Sequence, residues 1–117
     1  MKIQTSKIVN NILTPSKIWN IPKEKLIKIK YFENIFEFSN IDNNLLELSY
    51  IQDNYFTLVN KYIEFADDNK KLNKYIKELD NNNLLILLKI SDYLLIDDLL
   101  NLLKSEFYLR LIHNKFT

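Results

Sequence analysis

Asp67, Asn69 and Glu78 stand at positions one, three and twelve of a stretch that could wrap a calcium ion with oxygen ligands. The pattern breaks at Lys71, which would replace a ligand, and at Leu72, where the sharp turn needs glycine. A solvated loop is the expected reading. Lys23, Lys25, Lys28 and Lys30 form a basic cluster beside aromatic residues that could meet phosphates. Glu24 and Glu33 dilute it, so the wet face of a helix is expected instead. His113 is the only histidine, with no second one to build a metal site, and its place near a helix C-terminus is favoured by the dipole. Asp97 and Asp98 are adjacent, so on a helix their side chains point apart. Ser91-Asp92-Tyr93 has no base within sequence reach, and Trp19 lies in a strand pattern that reads as core. These residues imply no catalytic, cofactor-binding or metal site, and an enzyme is not expected.

Composition narrows the classes further. At 117 residues the expectation is one domain, with residues 1–11 as an N-terminal arm and 12–112 as the core. Lys and Arg number 16 against 15 Asp and Glu, so no global field draws nucleic acid or an anionic membrane. Cysteine is absent, which excludes disulfides and thiolate chemistry and fits a reducing compartment, cytoplasmic or nuclear. Glycine is also absent, which argues against phosphate-cradling loops, because these need close backbone approach and positive φ. No secretory signal is read near Lys2 and Lys7. The leucine-rich end is interrupted by Lys89, Asp92, Asp97 and Asp98, well short of the ~20 apolar residues of a span. Richness in Asn, Ile and Lys fits the codon bias of an AT-rich genome, as in protists or large DNA viruses.

The elements that must position any surface follow from periodicity. The segment from Leu84 to Ile112 predicts two helices hinged at Ile96-Asp97-Asp98, with Asp97 or Asp98 capping the second. The first has Leu84, Leu87, Leu88 and Leu95 on one face with the small Ser91. The second has Leu100, Leu103, Phe107 and Leu111 on one face, and a further stripe at Leu99, Leu102, Leu109 and Ile112. A helix apolar on more than one side must be covered on more than one side, within the fold or by a partner. Upstream, Ile12-Leu13, Thr14 to Lys17 and Ile18 to Ile21 read as strand, turn and strand, with Pro15-Ser16 as the bend. Leu26, Ile29, Phe32 and Phe36 predict a helix from Lys23, and Leu45 to Leu48 a short strand. Gln52 or Asp53 caps a helix carrying Phe56, Val59, Tyr62, Ile63 and Ala66. Asp67 to Asn83 reads as a polar loop holding at most one short helix. The fold class expected is α+β, a small sheet of about three strands on a helical bundle that ends in a helix pair.

Several of these stretches together resemble the BTB/POZ fold and its SKP-type and elongin-C-type relatives. Ile18-Trp19-Asn20-Ile21-Pro22-Lys23-Glu24-Lys25-Leu26 is similar to the family's second strand and first helix start. Tyr31-Phe32-Glu33-Asn34-Ile35-Phe36 resembles its Tyr-Phe helix, and Leu46-Glu47-Leu48 with Tyr55 to Ile63 its short strand and central helix. Most specific is Leu84 to Ile96, where Ser91-Asp92-Tyr93-Leu94-Leu95-Ile96 is close to the family's "A-DYL-x-I". The resemblance spans about Ile12 to Ile112. It departs at Pro22, where the family often has histidine, at Lys30, and at Glu64 to Asp67, which lacks the family's glycine turn. The loop from Phe38 to Asn43 does not reproduce the hydrophobic-x-Glu motif of cullin-binding adaptors.

The resemblance implies a protein–protein interaction adaptor that self-associates as a homodimer and recruits a protein partner, with a cullin-type ubiquitin-ligase scaffold as one such partner. It implies no small-molecule substrate, cofactor, nucleic acid or membrane. Ile8, Ile27 and Tyr31 are the expected dimer-interface residues. Phe38, Ile41 and Tyr55 are expected on the cullin-facing surface, and the stripe through Leu99 and Leu102 on a partner-binding helix. Two alternatives stay open. One is an SKP-type or elongin-C-like monomer whose terminal helices clasp a receptor protein, and the other is a small nucleic-acid-binding helical protein using Lys23 to Lys30.

Overall fold

The computed structural model describes residues 1–38 and 45–114, with Phe38 described by its backbone alone. The fold class is α+β. Among the described residues, three strands form one sheet and six segments are helical: β1 (Lys2–Val9), β2 (Ile12–Asn20), α1 (Lys23–Leu26), α2 (Lys30–Phe38), β3 (Leu45–Gln52), α3 (Asp53–Phe65), α4 (Asn69–Glu78), α5 (Asn81–Tyr93) and α6 (Asp97–Ile112). The chain divides into two compact units, Met1–Thr57 and Leu58–Thr117, with the boundary inside α3.

In the first unit the strand order is β2-β1-β3, with β1 antiparallel to β2 and parallel to β3. The segment expected to be an arm is therefore the central strand. Its inward residues are Ile3, Thr5 and Ser6, all buried, a pattern too polar to stand out in a search for apolar alternation. Thr14 to Lys17, expected as a turn, lies inside β2. Pro15 pairs opposite Ser6 on what is an edge strand, where a missing N–H costs no second ladder. The turn falls at Asn10-Asn11, whose φ of 53° and 64° are the positive values a tight two-residue hairpin requires. Asparagine tolerates this region best after glycine, which the chain lacks.

Both ladders shift register between Gln4 and Ser6. The irregularity breaks strict alternation, so Thr5 and Ser6 both turn inward. Partners on β3 jump from Glu47 to Gln52, and the Ser6 hydroxyl shares its hydrogen between the carbonyls of Ser49 (3.0 Å) and Ile51 (3.2 Å). The helix expected from Lys23 is broken into α1 and α2. In one continuous helix Leu26 and Phe32 would stand about 120° apart. The break at residues 27–29 lets Leu26, Ile29 and Phe32 all be buried.

In the second unit the polar stretch expected as a loop contains the ten-residue α4, capped by Asp68, which accepts from the amides of Lys70 and Lys71. Leu72 and Ile76 are buried on its inner face, with Leu79 just beyond its end, while Tyr75 donates to the Leu58 carbonyl at 2.8 Å. Burial pushes the Tyr75 hydroxyl up to about 12. The helix α5 starts at Asn81, with Asp80 accepting from the Asn83 amide. Its inner face is Leu84, Leu87, Ile90 and Ser91, followed by the buried Leu94.

The turn from α5 to α6 explains why neither Asp97 nor Asp98 caps α6. Leu95 takes a left-handed φ of 57°, its amide donates to the Asp92 carbonyl, and the Ile96 amide donates to the Ser91 carbonyl at 2.9 Å. This closes α5 in a Schellman motif. The N-cap of α6 is then Ile96, with no side-chain cap bond, and both aspartates sit in the first turn where the dipole still favours them. Leucine in the left-handed region costs about 1 kcal/mol that glycine does not. Leu95→Gly is expected to raise the thermal midpoint by roughly 4 °C, measured by circular dichroism. A lower midpoint would show that the half-exposed Leu95 side chain contributes more than its backbone strain costs.

Candidate interaction surfaces

The residues expected at an interface scatter over both units. Ile8 is 56% exposed at the turn end of the β1–β2 hairpin, where it pairs with Leu13 while Val9 pairs with Ile12. All four of these apolar side chains are exposed. Because neighbouring residues on a strand point to opposite faces, the hairpin end is apolar on both faces. Ile27 is 40% exposed at the end of α1, although Leu26 and Ile29 beside it are buried. Tyr31 is half-buried and meets Phe32 edge to face, with centroids 5.5 Å apart. Phe38 ends α2, and Ile41 lies outside the described residues. Tyr55 is half-buried in the first turn of α3.

On α6 the two expected stripes exchange parts. Leu99 is fully buried with Leu103, so it belongs to the chain's own core and is not available to a partner. Its stripe companions Leu102, Leu109 and Ile112 are exposed, as are Tyr108 and Leu111. Leu111, expected inside, is displaced outward because the inner face is completed by Arg110 instead. Leu102 also lines a groove of about 420 Å³ in the second unit, floored by Leu72 and Leu99 and walled by Tyr62 and Ala66. Asp98 is the one charged residue of its lining among the described residues. Burial first, then the charges of Asp98 and Asp67, raise the Tyr62 hydroxyl above the ordinary tyrosine value.

Two polar clusters were not legible as such. In the first unit Thr5 links Trp19 to Asp53. The indole Nε1–H donates to Thr5 Oγ1 at 2.9 Å, and Thr5 in turn donates to Asp53 Oδ1. The Lys17 amide donates to the same carboxylate oxygen at 3.3 Å. Partial desolvation of Asp53 works to raise its pKa. Hydrogen bonds from Ser16, Thr5 and the Lys17 backbone, with the Lys17 charge, outweigh it and leave the carboxyl below its usual value. Trp19 is buried against Phe56, with centroids 5.1 Å apart, and Lys17 Nζ lies 4.0 Å from the ring centre.

In the second unit Arg110 is buried and joins three helices. Its Nε donates to Glu106 at 3.0 Å and one Nη to Asn81 at 2.9 Å, while the other meets the carbonyls of Ile76 and Lys77 at 3.3 and 3.2 Å. Those carbonyls belong to the last turn of α4, where the helical i→i−4 amides run out and the dipole favours a cation, although the Ile76 carbonyl also accepts from the Leu79 amide at 3.3 Å. Both clusters tie elements together within a unit, and Arg110, Glu106 and Asn81 also line a groove of about 330 Å³ with Lys77, Leu79 and Asp80.

The other chemical candidates are dispersed. Asn69 to Glu78, the middle and end of the calcium-loop pattern, is helix α4. Among the described residues no three His, Asp or Glu side chains gather as a metal-ligand set. Ser91 is buried, with its hydroxyl unpartnered among the described residues, while Asp92 and Tyr93 are exposed. His113 is exposed at the end of α6, and Lys23, Lys25, Lys28 and Lys30 are all exposed. No described helix is long and apolar enough to cross a membrane.

No family model matches the chain, and no curated protein or solved structure matches it significantly.

Proposed function

We propose that the chain is a protein–protein interaction adaptor of BTB/POZ type, which self-associates and recruits a protein partner of the cullin-scaffold class. The observation that carries this reading is the placement of the five quoted stretches. Ile18 to Asn20 end β2 and lead through Pro22 into α1, Tyr31 to Phe36 lie in α2, Leu46 to Leu48 in β3, Tyr55 to Ile63 in α3, and Leu84 to Tyr93 in α5. These stretches lie on elements of the kind the resemblance implies, with Leu94 to Ile96 forming the turn after α5. Exposed Ile8 and Ile27 supply apolar surface for self-association.

The partner arm is tested by titrating purified cullin into the chain. Tyr55→Ala or Phe38→Ala is expected to weaken binding about 30-fold or more, as truncation of an interface anchor does, with far-UV circular dichroism unchanged. No cullin binding by the parent chain would remove the ligase arm, and loss of fold in both variants would make these residues core. A second reading is favoured by one observation, the exposed Leu102, Leu109 and Ile112 on α6. It is an SKP-type or elongin-C-like monomer that clasps a receptor through that helix.

A further inference from the structure

We propose that two copies of this chain dock head to tail, the α1–α2 turn of one seating Ile27 in the groove of the other formed by α3, α4 and α6. The inference deepens the self-association reading by adding a second contact to the one at the hairpin end, and it rests on that reading.

The turn is an apolar knob in a basic collar. The break between α1 and α2 that buries Leu26 and Ile29 leaves Ile27 exposed, with the exposed Lys23, Lys25, Lys28 and Lys30 around it in sequence and Glu24 the one acidic residue between them. The groove is its counterpart in sign. Its apolar side is Tyr62, Ala66, Leu72 and Leu102, its polar side Asn69, Asn101 and Ser105, and it has room for an isoleucine side chain with the methylene stem of a neighbouring lysine. Its charge is negative, from Asp98 in the lining and Asp67 near enough to act on Tyr62, and among the described residues no cation lines it. The chain carries almost no net charge, so attraction between copies comes from this local opposition, not from a global field. Knob and groove are different surfaces, which makes the contact heterologous: every copy offers one of each.

That asymmetry supplies the test, by sedimentation velocity over a range of concentrations. The parent chain is compared with Asp98→Lys, with Lys25→Glu/Lys28→Glu, and with an equimolar mixture of the two variants. Each variant alone is expected to associate at least about tenfold more weakly than the parent, because like charges then face each other at every junction. The mixture is expected to recover association. At one junction the lysine introduced in the groove of the first variant meets the glutamates introduced on the knob of the second. At the other, a native groove meets a native knob. Either variant associating like the parent, no recovery on mixing, or a parent chain monomeric at all concentrations would overturn the proposal. Ile8→Asp separates it from the hairpin-mediated reading. Association lost in Ile8→Asp but untouched by Asp98→Lys would leave hairpin self-association standing and remove the head-to-tail contact. The opposite pattern would keep the head-to-tail contact and remove the hairpin.

Discussion

Arg110→Ala is expected to destabilise the unit Leu58–Thr117 by about 3 kcal/mol or more, the usual cost of leaving one half of a buried ion pair alone. The substitution strips four acceptors at once: Glu106, Asn81 and the carbonyls of Ile76 and Lys77. Glu106 has a side chain only 14% exposed, so water cannot easily replace the guanidinium. Arg110→Lys keeps the charge but loses the planar fork, so its midpoint in a urea titration should lie between those of the parent and the alanine variant. Glu106→Gln in the alanine background should recover part of the loss by removing the stranded charge. Hydrogen exchange at the end of α4 and the start of α5 should accelerate with the alanine substitution. A midpoint unchanged from the parent would show that the cluster contributes nothing net.

Thr5→Val is expected to destabilise the chain by about 2 kcal/mol, the cost of leaving a buried donor without its acceptor. Valine fills nearly the same volume, so packing is conserved and the loss isolates the hydrogen bonds. Trp19 is the only tryptophan, and its indole N–H donates to Thr5, so its emission should report the change directly. Thr5→Ser retains the hydroxyl and should stay close to the parent. An accompanying pH effect has a definite sign. Because Asp53 is held below its usual value in the folded chain, the stability it supplies is complete above the ordinary carboxylate pKa of about 4. It is lost as pH falls through the lowered folded value. Thr5→Val removes one of the bonds that lower it, so the acid limb of a stability–pH curve should be shallower in the variant. Equal limbs would contradict the role given to Thr5.

The elements with clear apolar spacing were readable from the residues: α3, both terminal helices, and β3, though its full length was not. Elsewhere one local signal hides another. Pro15 is a stronger turn signal than Asn10-Asn11, yet as part of an edge strand it sits in β2 without penalty, and the asparagines make the turn. Lysines at four of ten positions hid α4, whose Leu72 and Ile76, with the half-buried Tyr75, mark one face. Arg110 stands among leucines that look more like core. The available signal was Glu106 four residues earlier, the spacing of a helical ion pair. Thr5 could not be found from one strand alone, since its partners Trp19 and Asp53 are 14 and 48 residues away. Of the expected interface, Ile8, Ile27 and Leu102 are exposed, Tyr31 and Tyr55 are half-buried, and Leu99 is core. Spacing assigned Leu99 to a face but could not say which face the fold would cover.

Light scattering on the purified chain across a concentration series, beside Ile8→Asp, tests the adaptor reading most directly. The account predicts a dimer or larger species for the parent, with association weakened about 30-fold or more by a charge placed in the apolar hairpin end. A parent chain that stays monomeric throughout, with Ile8→Asp indistinguishable from it, would contradict a self-associating adaptor.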